Sequence, residues 1–475
     1  MPQGIGGSNP PPSAGFGGLE RERGRENGSF PAAEALKPQG FKKFRSREIL
    51  FDFLHLPHQM KAPYDLIVVG GGPSGLIAAG RAGERGLRVL LLEKNKRLGE
   101  KLRITGNGRC NITNAEEDER ILLKKYGKAE QFLYSLFSQF GVKQTFSFFE
   151  KNNLPLVVEE FKRAFPKSQK AEDVERVLEA YVKKNGVDIR TNSPVTRVFA
   201  ENGRITAVQC EGERYSAHEY IVATGGTSHP ETGSTGEGFK WLEQLGHSVI
   251  KPTPSVVPLA VKEQWAKSLS GTSLSSMKIT FYLDAKKEFS LSGKILFTHF
   301  GVSGPLILNS AHKVADLLHG GMVTATIDAY PKKDLGTLEK EIIGIFDANK
   351  NKTLKNIIKE LSPQGIHKGI ALLFEEQFDT ATKVHSVTKE DRKRIVRLLK
   401  ALPLTILGLM GLDRAVVSDG GVPLTEIDMR TMRSKKITNL FLTGDLLNVN
   451  RPSGGYSLQL CWSTGYVAGS NAKRN

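Results

Sequence analysis

The sequence predicts an α/β chain built on a doubly wound parallel sheet, and three observations predict it. The first is "LIVVGGGPSGLIAAGRAGERGLRVLLLEKNKRLG" (residues 66–99), where the apolar run Leu66 to Val69 stops at three glycines, a helix-period segment follows, and a second apolar run, Val89 to Leu92, ends on Glu93. The second is "NLFLTGDLLNVNRPSGGYSLQLCWSTGYVAGSNA" (439–472), where a strand of buried type, Leu440 to Thr443, reaches Gly444 and Asp445 and enters a small-residue helix from about Ser457. The third is a change of texture between about Pro254 and Leu409. A strand-rich half ("MKITFYLD", "MVTATIDAY") is followed there by a helix-rich half ("TLKNIIKELSP", "KEDRKRIVRLLKAL"), which predicts an inserted strand-plus-helix domain.

Strand, glycine turn, helix and strand make a dinucleotide site. In Gly70, Gly72 and Gly75 the first glycine makes the tight turn, the second admits a pyrophosphate, and the third lets helix and strand pack closely. Pro73 and Ser74 open the helix, whose unpaired N–H groups and positive dipole end face the phosphates. Glu93, at the tip of the second strand, is placed for the hydroxyl pair of an unphosphorylated adenosine ribose, as in FAD or NAD. Further on, Ala171 to Lys184 has helix-period apolar residues and Gly186 as its stop. The runs "VDIRT", "VTRVFA", "ITAVQC" and "YIVATGG" then predict a mostly parallel sheet with an antiparallel side sheet.

At the second segment an acid at a strand end suits a ribityl chain, and the following helix N-terminus suits the anionic edge of a reduced flavin. A protein that binds NAD alone has no need of it. The alternative for Gly444 and Asp445 is a plain strand-end turn.

Composition narrows the class. A chain of 475 residues with 39% hydrophobic content buries a large core and has room for two or three domains. No apolar stretch approaches the roughly 18 residues of a membrane span, so no membrane partner is expected. Cys110, Cys210 and Cys461 are far apart and odd in number, which fits a reducing, cytoplasmic setting, and the absence of a CxxC pair argues against a disulfide relay. Residues 1–59 are Gly/Pro/Ser-rich or charge-alternating without an apolar face and read as a disordered leader. The remaining boundaries are a first part of the dinucleotide domain at 60–253, the insert at 254–409, and a C-terminal return at 410–475. No metal site is expected, and the oligomeric state is left open.

Four motifs carry a resemblance: "KLRITGNGRCNITN" (101–114), "VATGGTSHPETGSTGEGFKWLEQLGH" (222–247), "ILFTHFGVSGP" (295–305) and "TGDLLNVNRPSGGYSLQLCWSTGYVAG" (443–469). From about Ala62 to Gly469 the chain resembles a bacterial family of NAD(P)/FAD-dependent oxidoreductases described as aminoacetone-oxidase-like or bile-acid-reductase-like (BaiN/YhiN-like) flavoproteins. The resemblance implies a glutathione-reductase-like FAD domain interrupted by an insert, with FAD as cofactor and NAD(P)H as electron donor. By position it implies that Gly70, Gly72, Gly75, Glu93 and Lys94 hold the adenosine end, with Val195 beside the adenine. Lys101, Thr224 and Gly225, within the resembling motifs, join the expected cofactor contacts. Asp445 stands where the family more often has a glutamate, and the ribityl contact is expected to survive the shorter acid.

The chemistry of these motifs can be read directly. In "GNGRCN", backbone N–H groups around Gly106 and Gly108, with Arg109 and Asn111, suit an anion or the flavin edge; the alternative is a tight loop packed against the pyrophosphate with no catalytic part. Cys110 is a candidate proton donor or nucleophile, weighed against a small buried filler. His299 is a candidate proton donor to a carbon receiving hydride, weighed against a packing histidine beside Phe300. Tyr456, after Gly454 and Gly455 and before Ser457, is expected to cover or hydrogen-bond the ring. The "GSTGEG" loop (233–238) reads better as a loop closing on FAD than as a separate nicotinamide cradle.

The formal charge is +17, and the insert has 22 Lys/Arg against 15 Asp/Glu. Lys352, Lys355 and Lys359 recur at helical spacing just after Lys350, as do Lys389, Lys393, Arg397 and Lys400; they read as a phosphate-backbone surface or as a solvated face. Three functions follow. The favoured one is a FAD-dependent reductase of activated C=C bonds acting on uridine in RNA. The others are a small-molecule oxidoreductase acting on an amino-ketone or steroid-like enone, and a non-catalytic FAD-binding protein.

Overall fold

The computed structural model describes residues 64–474, so the leader expected over 1–59 lies outside the described residues. Short apolar runs form the sheet: β1 (Tyr64–Val69), β2 (Val89–Leu92), β3 (Asp188–Arg190), β4 (Ala217–Val222) and β5 (Leu440–Leu442). They pair in parallel in the order β3, β2, β1, β4, β5, and the short strands Arg433–Ser434 and Ile427–Asp428 extend the β5 edge antiparallel. Residues of β1, β2, β4 and β5 are almost entirely enclosed, as expected for strands covered on both faces. Because β1 has β2 on one side and β4 on the other, the glycine turn after β1 sits at the point where strand order reverses. Ligands of such sheets bind at that point.

Helix α1 (Pro73–Glu84) links β1 to β2; α2 (Glu100–Ile104) follows β2; α3 (Ala171–Lys184) precedes β3; α4 (Tyr456–Asn471) closes the chain. α1 and α4 touch backbone to backbone. A Cβ at Gly465 would lie 2.3 Å from Ser74 O, and one at Gly469 would lie 2.3 Å from Ala78 O. This repeat of four on both helices means that they run parallel. It also sets α4 to begin about eight residues, or about 12 Å, before the level at which α1 begins. The small-residue character of α4 is therefore a packing requirement.

Between β3 and β4 the chain forms the antiparallel side sheet Val195–Glu201, Arg204–Cys210 and Glu213–Tyr215. The insert differs from the expected succession of strands and then helices. Its strands close a six-stranded barrel in the order Leu259–Val261, Gly301–Ser303, Lys286–Thr298, Ser273–Leu283, Val323–Asp328, Leu402–Leu409. The last strand follows the helical half in sequence because it alone pairs with both Val323–Asp328 and Leu259–Val261 to close the barrel. The helix Pro305–Gly320 also falls among the strands. Barrel and helices share their own apolar core, separate from that of the main sheet. Asn309, on that helix, ties the insert to the approach to α4: its Oδ1 accepts from Ser453 N (2.9 Å) and Ser453 Oγ (2.8 Å).

A buried polar cluster pins the antiparallel edge to the helix Glu237–Gln244. His247 Nδ1 faces Glu426 at 2.7 Å and its Nε2 faces Ser434 Oγ at 2.8 Å; Glu426 also accepts from Lys436 Nζ (2.9 Å) and Ser248 N. Ser434 Oγ accepts from Lys436 N and Ile437 N, so its proton goes to His247, which is neutral and donates from Nδ1 to Glu426. Burial opposes the Glu426 charge, but the hydrogen bonds from Lys436, Ser248 and His247 outweigh it and draw the carboxyl down to about 2. Burial also lowers His247 below its ordinary 6.5, against the pull of Glu426. Both shifts make folding resist protonation. The His247 contribution is lost as pH falls below 6.5, and the Glu426 contribution between about 4.5 and 2. Glu426→Gln is expected to lower stability at pH 7 by about 2 kcal/mol and to flatten the loss of stability on acidification, read by thermal unfolding across pH. An unchanged acid profile contradicts this role.

Candidate dinucleotide cleft

A cleft opens at the end of β1 and takes its walls from three distant stretches of chain. Gly70 to Ser74 and Glu93 to Asn95 come from the first; Thr224, Gly225 and Thr232 to Glu237 from the second; Asp445, Ser457, Leu458 and Cys461 from the C-terminal return. Val195, Lys101, Thr105, Ser193, Trp241 and Val416 are among the other residues that line it. The glycines divide by task. A Cβ at Gly75 would stand 1.9 Å from Gly70 O, so this glycine serves the fold, whereas a Cβ at Gly72 would meet nothing within 4 Å and would project into open space before the α1 N-terminus. That vacant cradle, faced by the first N–H groups of α1, suits a diphosphate.

Glu93 is 7% exposed, and its two oxygens accept from Gly71 N (2.6 Å) and Asn95 N (2.8 Å). Burial raises its carboxyl above the ordinary value, with the two backbone N–H groups and Lys94 opposing. Thus fixed, it has lone pairs left for two vicinal hydroxyls. Lys94 Nζ reaches Thr235 Oγ1 (2.8 Å) and Glu237 (3.0 Å), and Asn95 Nδ2 donates to Thr232 O (3.0 Å). The "GSTGEG" loop therefore closes over the Glu93 end of this same cleft. Thr224 lines the wall, but its Oγ1 is buried against Gly238, whose Cβ position lies 2.1 Å from it. A glycine cradle that a Cβ would fill and a fixed acid together fit an extended adenine dinucleotide, and the step of about 12 Å between the α1 and α4 N-termini gives it length.

The opposite end differs from expectation in several residues. The Asp445 carboxylate is engaged by Arg451, which is 2% exposed and also donates to Val449 O (2.6 Å) and Ser457 Oγ (3.0 Å). Sequence reasoning misses Arg451; its signal is an arginine in the "NVNRPSGG" approach to a helix that packs too tightly to take a long side chain. Gly444 lies behind Asp445, its Cβ position 2.9 Å from Ser74 Oγ.

The "GNGRCN" loop does not reach the cleft wall. Arg109 bonds Glu159 (3.0 Å) and Gln169 (2.9 Å) and lies over the Phe165 ring at 4.2 Å. Cys110 is fully enclosed and burial pushes its thiol far up, which removes the electropositive, accessible setting a reactive thiolate needs. The Asn111 amide accepts from Gly455 N (2.9 Å) and donates to Ala164 O and Thr113 O. Gly106 and Gly108 take the positive φ of the turn that sets these residues. The loop braces the Gly454–Gly455 turn from behind.

Tyr456 is 8% exposed, its carbonyl accepts from Tyr126 Oη (2.9 Å), and its ring meets Tyr126 edge-on at 5.9 Å, away from the cleft wall. His299 is exposed at the turn between two barrel strands, packs edge-on against Phe300 at 4.9 Å, and does not line the cleft. Cys461 does line it, as a neutral thiol that burial, then Asp445, raises to about 12. Of the insert lysines, Lys350, Lys352 and Lys355 pair with Asp347 (3.3 Å), Glu360 (3.5 Å) and Glu375 (3.1 Å). Lys359, Lys389 and Lys393 are exposed and form no ion pair among the described residues.

Gly72→Val separates fold from ligand. It is expected to leave the melting temperature of the apoprotein unchanged and to weaken FAD binding at least tenfold, whereas Gly75→Val is expected to prevent folding. Undiminished FAD binding by Gly72→Val, measured by fluorescence titration, contradicts the placement of the diphosphate.

Residues 64–471 match the family described as HI0933-like protein Rossmann domain. The chain is 29% identical over 409 residues to a 3-dehydro-bile acid delta(4,6)-reductase of Clostridium scindens, with 85% of this chain and 98% of that protein covered. It is 28% identical over 411 residues to a ribosomal RNA dihydrouridine synthase of Haemophilus influenzae, with 86% and 98% covered. A 3-ketosteroid delta1-dehydrogenase from Sterolibacterium denitrificans shares the fold at a TM-score of 0.50 and 14% identity, covering 87% of this chain and 99% of that one. No helix among the described residues is long and apolar enough to cross a membrane. The glycine turn, the fixed acid and the C-terminal return thus belong to one known architecture, and the chain is a member of the HI0933-like family of FAD-dependent oxidoreductases.

Proposed function

We propose that the protein reduces a C=C bond conjugated to a carbonyl, with NAD(P)H as electron source and a uridine in RNA as the favoured substrate. The observation that carries this reading is the chemistry common to the two relatives. A bile-acid delta(4,6)-reductase and a dihydrouridine synthase both add hydrogen across such a bond, and each is covered over 98% of its length. When bound, FAD supplies the hydride for the electron-poor carbon. The chain contributes the rest: Gly72 and the α1 N-terminus receive the diphosphate, and Glu93 with the Lys94–Glu237 loop holds the adenosine end. Lys101 and Arg451 place positive charge at the far end. Neither of the two candidate proton donors, His299 and Cys110, lines the cleft, nor does Tyr456, the residue expected at the ring; His299 is the one among them exposed to solvent.

RNA is favoured over a small molecule by the charge. A net +17 and the exposed, unpaired Lys359, Lys389 and Lys393 supply phosphate contacts. The pairs at Lys350, Lys352 and Lys355 are surface pairs, worth about 1 kcal/mol or less, and yield to a phosphate backbone at small cost. Those same pairs are the observation that favours the second reading, a steroid-like enone, with the lysines serving solvation.

Nucleoside analysis of ribosomal RNA from a deletion strain, in the cytoplasm where both are expected, distinguishes the readings. Loss of a dihydrouridine, restored by the wild-type gene but not by Gly72→Val, is the expected result. Replacing Lys359, Lys389 and Lys393 by Gln is expected to weaken RNA binding and to flatten the slope of log K against log salt by about 0.7 to 0.9 for each phosphate no longer neutralised. Unaltered rRNA together with turnover of a steroid enone transfers the assignment to the second reading.

A further inference from the structure

The end of the cleft away from Glu93 has more positive charge than its own carboxylate neutralises. Lys101, on α2, lines this end with Asp445, Ser457 and Cys461. Its Nζ makes one long hydrogen bond, to Ser228 Oγ at 3.3 Å, and forms no ion pair among the described residues. Asp445 is already taken by Arg451. Glu231, the next acid to act on Lys101, is bonded to His229 at 2.8 Å. Two cations and the positive end of α4 therefore meet one carboxylate of the cleft wall, Asp445, with Glu231 exposed outside it.

An ammonium carries three donors, and one distant acceptor does not replace the water it loses in a cleft wall. Enclosure draws Lys101 below its ordinary value; Asp445, Cys461 and Glu231 pull it up again and Arg451 pushes it down. A group in this condition is stabilised by any anion that arrives beside it. The diphosphate is already served by the α1 N-terminus, at the level of Gly72. Lys101 instead shares its surroundings with Asp445 and Arg451, and Arg451 donates to Ser457 Oγ in the first turn of α4.

We propose that Lys101 is the partner of the negative charge that the FAD ring gains on reduction, and so raises the ring's reduction potential. Two electrons and one proton entering the neutral oxidised ring leave one negative charge on it. No bond to Lys101 forms or breaks. The inference rests on the cofactor and is independent of the substrate.

The test compares wild type, Lys101→Met, Lys101→Gln and Lys101→Arg as FAD-loaded proteins, by dye-equilibrium potentiometry and by FAD titration of the apoproteins. Lys101→Met and Lys101→Gln are expected to shift the reduced-to-oxidised equilibrium at least tenfold toward the oxidised form, about 30 mV for a two-electron couple. Their affinity for oxidised FAD is expected to stay within threefold of wild type, and Lys101→Arg is expected to keep the wild-type potential. A tenfold loss of affinity for oxidised FAD with an unchanged potential makes the diphosphate the partner and overturns the proposal. Unchanged affinity and potential overturn it as well. Should wild type bind no FAD, the cofactor assignment itself fails, a result distinct from both.

Discussion

The structure depends on one close approach, that of α1 to α4. Gly465 and Gly469 bring the two backbones within the reach of a missing Cβ at Ser74 and Ala78. The approach fixes the helices parallel and staggered, and it joins the start of the described chain to its end. Two positive helix ends result, separated by the stagger of about 12 Å along one cleft. A side chain at either glycine would push the helices apart and dissolve both ends of the site together.

Around that frame, the charges are distributed unevenly. At the Glu93 end the acid is satisfied by backbone N–H groups and the nearby cation, Lys94, is satisfied by Glu237 and Thr235. At the α4 end Arg451 takes up Asp445, and Lys101 is left with one hydroxyl. The first end suits a neutral sugar, which it would hold by shape and hydrogen bonding. The second end is prepared for charge. The insert meets this second end through Asn309 and Ser453, so a substrate held by the insert would approach the charged end.

Much of the frame is legible in sequence, because apolar runs and glycine spacing are local. β1, β2 and α3 follow from the period of their own residues, and the separation of Gly70, Gly72 and Gly75 announces the turn. What sequence hides is long-range. Arg451 looks like a loop arginine until α4 closes over it, and the barrel's last strand, Leu402–Leu409, is identifiable only once its two partners are in place. Cys110 and Tyr456 attract chemical roles in the sequence because glycine-rich loops approach cofactors. Both sit instead behind the wall, holding up the turn that makes it. The lysines of the insert register in the sequence only as charges, and the carboxylate partners of Lys352 and Lys355 stand well along the chain from them.

The arrangement of charges and helix ends calls for an adenine dinucleotide along the whole cleft, adenosine at Glu93 and ring at α4. Calorimetric titration of the apoprotein with FAD, FMN and ADP tests it most directly. One FAD per chain, ADP binding that competes with it, and FMN at least tenfold weaker than FAD are predicted. FMN binding as tightly as FAD, or ADP that fails to compete, would contradict the claim.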